Sequence, residues 1–515
     1  MLGYVIRRLA MAVVILFASS YLVYNLAAFA GDPLEDLRQS RDANRDALIA
    51  QRTAALNLDI PPPLRYFLWI RGAIGCAAPF IATCDLGTNL QGFQVTDLLA
   101  RAIAQTILLV TAATILSIVI GIALGIVSAL RQYSGLDYGI TFMAFLFFSL
   151  PVFWVAVLLK EFGAIRFNDF LRDPTFSPTV VLFVGIVVAL AAYGTAYGAT
   201  RTKVFVAVGA AAVVMGLMLG LSATGWLVAP FLGIPGILVV GGLIAVALTF
   251  LMSGLRNRRA LYSGLTAVLV AAIAYFPIQP VLGDDISWLL VFGLGLVTIV
   301  VGAAIGYAYG GYDRAQSMRV GAASAFFAGG LVLLDRFMQS WPQYVGHGRI
   351  RGRPISTVGS STPGFNNEGF WLTGLDTMTH LILPTAALML VALAGYSRYS
   401  RASMLEIMNM DYIRTARAKG ASERSVVMKH AFRNALIPLA TLIAFDIGGL
   451  IGGAVITENV FAFTGMGQLF IQALGIVDLN PLMGVFLITG LLAMVFNLVA
   501  DLLYSVLDPR VRVKA

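Results

Sequence analysis

Charge is what this sequence has least of. Only 12% of its 515 residues are Asp, Glu, Lys or Arg, against about a quarter in a soluble globular chain. A chain this long with so little polar cover is not soluble. Thiol and imidazole are scarce too, with two cysteines and three histidines. His347, His380 and His430 are scattered and none stands near a cysteine, so no metal site is expected. There is no GxxxxGK[ST] phosphate loop, which excludes nucleotide hydrolysis by that route. No pairing of nucleophile and base stands out either, and the chain does not read as an enzyme.

What is present is apolar. Hydrophobic residues make up 59% of the chain and the mean hydropathy is +0.85. Runs of roughly 20 apolar residues recur, the length a helix needs to cross a bilayer. The expected fold class is an all-α polytopic membrane protein. Spans are expected at 9–30, 106–130 and 140–159, then near 179–199, 204–222, 234–254, 260–281, 287–309 and 320–337, and finally at 380–397, 435–457 and 483–506, twelve in total. The N-terminal run begins with basic residues, as a signal peptide does. It is too long for one and lacks a small-residue cleavage site, so it is expected to stay as the first helix.

The net charge of +9 sits mainly in short segments between apolar runs, where topology accounts for it and nucleic acid is not needed. Arg7 and Arg8 place the N-terminus inside, and the tail residues Arg510, Arg512 and Lys514 follow. Arg131, Arg201, Lys203, Arg256, Arg258, Arg259, Arg314 and Arg319 also fall inside, with Asp284 and Asp285 outside. Segment 339–379, with Arg349, Arg351 and Arg353, lies outside by this count against the rule; placing it inside would expel the more basic 401–434.

The long loop 31–105 is expected outside. EDLRQSRDANRDALIAQRTAALNL has the composition of a solvated helix. IPPPLRYFLWIRG then breaks it with three prolines and continues as an aromatic stretch suited to the membrane interface, a lid or simple packing. Cys76 and Cys84 lie in this oxidising location, where a local disulfide and two packed free thiols are both open.

One basic segment stands out between the expected spans 380–397 and 435–457, DYIRTARAKGASERSVVMKHAFRNALIP at 411–438. Its pattern is two short helices meeting at Gly420. Arg417 and Lys419 suit the last turn of the first, with Ser422 as N-cap and Glu423 in the first turn of the second. The small residues Thr415, Ala416 and Ala418 would let another protein surface come close; the alternative is a loop that binds anionic lipid.

This segment resembles the cytoplasmic EAA loop of ABC-importer permeases, in the form YIRTARAKG followed by RNALIP that the peptide-type family uses. Arg414-Thr415-Ala416 stands where Glu-Ala-Ala is general, and His430-Ala431-Phe432-Arg433 where Ile-x-Leu-Pro is. SLPVFW (149–154), LNLDIPPPLRYFLWI, DLGTNL (85–90), RPISTVGSSTPGF (353–365), HLILP (380–384), GAVITENVFAFTGMG (453–467) and NLVADLLYSVLDPRVR are similar to further family segments, with Thr464 where proline is usual. MLGYVIRRLA favours the first of two permease subunits. The resemblance covers 1–165 and 340–515, the core halves, with coupling loop 401–434 in the second. Block 166–339 resembles nothing recognised and adds six helices, an even number that keeps the loop on the family's side. It has almost no intramembrane charge, so no ion relay is expected there; a scaffold or a docking surface for lipid or an accessory protein is the expectation.

The resemblance implies a peptide importer. Its partners would be a second permease, two ATP-binding subunits holding ATP and Mg, an extracytoplasmic peptide-binding protein or lipoprotein, and membrane lipids. This chain would hold no cofactor of its own and lie multi-pass in a bacterial cell membrane with both termini cytoplasmic. Arg414, Thr415, Ala416, Ala418, Lys419, Gly420, Ser422 and Glu423 would contact the ATPase, with Arg433 and Asn434 anchoring the loop. Pathway or gate candidates are Pro151, Asp446 and Glu458. Asp446 would face the pathway, the partner or a water-satisfied structural site, and Glu458 a gate, a binding protein or a helix end. Another cargo such as a nickel chelate, or a stand-alone secondary transporter, remains the alternative; the latter usually shows intramembrane charge or internal repeats.

Overall fold

A computed structural model describes residues 2–77, 83–284, 286–365 and 368–507. Regular structure among them is helical, apart from one isolated bridge between Thr88 and Gln94. Among the described residues ten helices are long and apolar enough to cross a membrane. The pair Gly135–Ser149 and Val152–Phe170 makes an eleventh if taken as one span. The chain divides into two compact units, the first holding Met1–Gly163, Thr357–Ser360 and Leu381–Ala515, the second Ala164–Ser356 and Ser361–His380.

The first unit begins with α1 (Leu2–Ala30), α2 (Glu35–Gln39), α3 (Arg45–Ala55), α4 (Pro62–Ala77), α5 (Val95–Leu130), α6 (Gly135–Ser149) and α7 (Val152–Leu158). The single solvated helix expected after residue 35 is two. Ser40 Oγ accepts from the Asp42 N–H and Asp42 from that of Asn44, and these local bonds compete with helix between α2 and α3. The span expected at 140–159 is also broken, with a bend of 104° between its halves. Pro151 has no N–H and disfavours helix for the residue before it; Leu150 and Pro151 accordingly have ψ of 129° and 140°. Past α7 the chain continues through a π-helical stretch, Leu159–Arg166.

The second unit holds α8 (Phe167–Phe170), α9 (Pro178–Thr195), α10 (Thr200–Thr224), α11 (Gly233–Met252), α12 (Arg258–Ile278), α13 (Trp288–Tyr309) and α14 (Arg314–Gly346). Ser177, Asn257 and Ser287 cap α9, α12 and α13, each accepting a first-turn N–H. The six helices α9 to α14 correspond to the six inserted spans. Helices α13 and α14 approach to backbone contact: a Cβ on Gly302 would lie 2.4 Å from the Gly321 carbonyl oxygen, and one on Gly306 2.3 Å from that of Ser317. Without a hydrophobic drive between helices in lipid, such close packing is a main source of association. The unit extends past the compositional limit at 339 to residue 380, because Phe337 and Tyr344 pack with Phe365, Trp371 and Leu375 in one buried cluster. Trp371 Nε1 donates to the Gly283 carbonyl at 2.9 Å.

The chain closes with α15 (Phe370–Met408), α16 (Asp411–Ala418), α17 (Glu423–Ser425), α18 (Phe432–Gly453), α19 (Val455–Val460), α20 (Met466–Gly475) and α21 (Leu479–Leu507). Helix α18, with 22 residues, falls on the remaining expected span. In the first unit α5 lies close against α15: a Cβ on Gly121 would meet Tyr396 and Leu393, and one on Gly125 Ser397 and Ser400. A separate core gathers Tyr24, Tyr66, Trp69, Leu86, Val95, Leu99, Met466 and Met483. It joins the loop helix α4 to α1, α5, α20 and α21.

Candidate functional site

Segment 401–434 folds as the helix–glycine–helix its sequence predicts. Helix α16 ends at Ala418 and Gly420 follows at φ +77°, a left-handed conformation that glycine adopts without strain. Ser422 caps the next turn by accepting from the Ser425 N–H. The chain then passes through a π-helical stretch, Val426–Ala431, into α18.

Part of the segment's apolar set turns inward, while Met410, Tyr412 and Met428 are exposed. Ile413, Ala416, Val426, Val427, Ala431 and Ala435 form a buried cluster with Met404 of α15 and Ala129 of α5. Ala416 is therefore inside the fold. The other candidates for contact, Arg414, Thr415, Ala418, Lys419, Gly420, Ser422 and Glu423, are exposed. Arg417 donates to Glu423 from Nη2 at 2.7 Å and Nε at 3.2 Å, bridging the Gly420 turn. These bonds hold the Glu423 carboxyl below its usual range. Arg433 is exposed, and Asn434 Nδ2 donates to the Tyr412 hydroxyl at 2.9 Å, tying α18 back to α16.

The supports of the segment include residues that the sequence reading passed over. Asp137, at the start of α6, is buried and accepts from Arg401 Nε at 3.0 Å and Nη2 at 3.1 Å. It also accepts from Ser128 Oγ and from the Tyr133 N–H at 2.9 Å. One turn before Arg401, Arg398 lies over the Phe148 ring at 3.8 Å from its centroid and 5.6 Å from that of Phe145. The only hint in the sequence was arginine at 398 and 401 beside an apolar span.

Elsewhere the candidates disperse. Pro151 is exposed at the bend between α6 and α7. Asp446, half-buried in α18, neighbours the Tyr396 hydroxyl of α15. Glu458 is fully buried. Its carboxylate accepts from Thr106 Oγ1 (2.7 Å) and from the N–H groups of Gly467 (2.6 Å) and Gln468 (3.2 Å), so it caps the first turn of α20. Gly465 and Gly467 have no room for a Cβ beside that carboxylate. Lys160 donates to the Val460 carbonyl at 3.1 Å. Thr464, in the place of the usual proline, pairs its hydroxyl with that of Ser360 at 2.5 Å. Cys76 and Cys84 are joined as a disulfide. Among the described residues no group of three His, Cys, Asp or Glu could hold a metal ion; His347 neighbours Glu368, and His380 neighbours Asp376.

Residues 345–513 match the family described as binding-protein-dependent transport system inner membrane component. Over those residues the chain is similar to this family. It is 42% identical over 156 residues to the oligopeptide transport system permease protein OppB of Mycobacterium bovis, covering 30% of this chain and 48% of that one. Against the oligopeptide transport system permease protein AppB of Bacillus subtilis the identity is 44% over 136 residues, 26% and 43% of the two chains. A putative peptide permease protein of Brucella ovis is 46% identical over 138 residues, 27% and 43%. The chain spans less than half the length of these curated relatives. The matched residues take in the whole of α16 to α20, the candidate segment included.

Proposed function

We propose that this chain is a pathway-forming permease subunit of an ATP-driven ABC importer for peptides, working with a second permease, two cytoplasmic ATPases and an external binding protein. The observation that carries the reading is segment 401–434: an exposed polar face around Gly420, fixed on a buried apolar underside within the matched residues 345–513. The names of the similar proteins support peptides as the cargo. Energy would come from the ATPases, since this chain has no phosphate loop. Nucleotide-driven closure of those subunits would push the segment, and α15 and α18 on either side would rock about the pathway. Both termini and the segment would face the cytoplasm of a bacterium. Block 166–339 would be an added membrane scaffold or docking surface, without part in the coupling.

The test is purification of the tagged chain in mild detergent, with mass spectrometry of what accompanies it in stoichiometric amounts. Recovery of a second permease and P-loop ATPases is the expected result. A lone stable protein would overturn the reading and bring a stand-alone transporter forward. Gly420→Trp is expected to leave insertion intact while abolishing ATPase recovery; loss of insertion instead would remove the docking role from this turn.

A further inference from the structure

The helix that meets α15 at its charged end is α6, and α6 is held there at two points. Arg401 grips its first turn through both oxygens of Asp137. Arg398, a turn earlier on α15, holds the other end through Phe145 and Phe148, with its Nε buried and without a hydrogen-bond partner. A planar guanidinium suits both grips, forked toward a carboxylate and flat over an aromatic face. Around this clasp the packing is tight. Gly121 and Gly125 bring α5 to backbone contact with α15, and Ser400 Oγ donates to the Ile122 carbonyl at 3.3 Å. Asp137 also fixes the 131–134 turn between α5 and α6 through Ser128 Oγ and the Tyr133 N–H. Ala129, at the end of α5, belongs to the same buried cluster as Met404 and the underside of 411–435. The α5–α6 turn, the end of α15 and the segment therefore form one block. Just beyond Phe148 the helix gives way to extended backbone at Leu150 and Pro151, where the chain bends by 104°.

Resting on the importer reading, we infer that the Asp137–Arg401 clasp, backed by Arg398, is the joint that passes displacement of segment 401–434 to α6. The bend at Leu150–Pro151 is then where that displacement is delivered to the pathway. Asp137, Arg398 and Arg401 are positioning residues: they touch neither nucleotide nor cargo. Asp137→Asn keeps the shape of the side chain, with its amide oxygen placed to accept from the Tyr133 N–H and its amide nitrogen to donate to the Ser128 hydroxyl, while removing the charge that Arg401 grips.

The experiment uses the whole complex, purified and reconstituted in proteoliposomes with the binding protein that accompanies it. Peptide uptake and ATP hydrolysis are measured together, and assembly is checked by subunit stoichiometry. The expected result for Asp137→Asn and Arg401→Gln is normal stoichiometry and ATP hydrolysis, with uptake per ATP reduced at least about tenfold. The double variant is expected to be no worse than either single one, because both remove the same link, and Arg401→Lys is expected to recover part of the uptake. Uptake per ATP within twofold of the parent in both single variants would overturn the clasp as joint and leave the importer reading standing. Loss of assembly in both would make the clasp structural only. A parent chain that recruits no ATPase would overturn the importer reading and the joint with it.

Discussion

At the residue scale, buried carboxylates carry the polar architecture, and each is bound to donors far away in sequence. Asp478 is one, buried at the start of α21, accepting from the Leu90 N–H at 2.9 Å on one oxygen while the other has no partner. Burial pushes this carboxyl up to about 6, against the opposing effects of the Leu90 bond and the Arg52 charge. The folded chain thus holds a proton at Asp478 that an unfolded chain has lost, so its contribution is full below the ordinary carboxylate range and disappears as pH rises through about 6. Hydrogen exchange at the 85–90 loop, corrected for intrinsic rates, is expected to show looser docking at pH 7.5 than at pH 4.5, and Asp478→Asn is expected to flatten that slope. Glu458→Ala is a harsher change, since it strips the acceptor from Thr106, Gly467 and Gln468 together. At about 1–3 kcal/mol for each buried donor left unpaired, the chain is expected to lose several kcal/mol, read as a large fall in melting temperature in detergent. The distant partners were not legible beforehand: Glu458 and Thr106 stand 352 residues apart and Asp478 and Leu90 388. Gly420 and Ser422 were legible because turn and cap chemistry is local.

At the element scale, hydropathy located the spans well because bilayer thickness fixes helix length. It failed where composition stays apolar through a backbone break. SLPVFW is such a place: its side chains suit a membrane throughout, but the proline ring redirects the chain at Leu150. Helix pairing was less legible, because glycine marks close packing only when a partner backbone is opposite. Gly293 and Gly295 of α13 face open space, whereas Gly302 and Gly306 of the same helix face α14. Gly302→Leu is expected to force α13 and α14 apart and expose the second unit to limited proteolysis, while Gly295→Leu leaves the cleavage pattern unchanged. Equal sensitivity of the two variants would deny the crossing its role.

For the whole molecule, the sequence divided the chain by composition, whereas packing divides it by shared core. Residues 340–380 read as permease core, yet Asp376 accepts from Thr362 and Tyr344, and Trp371 stacks edge-on with Phe337, so the stretch up to 380 consolidates with the inserted helices. Side-chain partners of that kind leave no trace in hydropathy. The orientation argued from arginine placement can be tested directly, because Gln91 and Lys419 are both exposed and are expected on opposite sides. In spheroplasts a membrane-impermeant maleimide is expected to label Gln91→Cys at once and Lys419→Cys only after permeabilisation; the reverse order would invert the topology. The clarity of that readout comes from the Cys76–Cys84 bond. With both native cysteines locked together, any introduced cysteine is the single free thiol in 515 residues, and the unaltered protein serves as its own blank for spin, fluorescence or cross-linking probes.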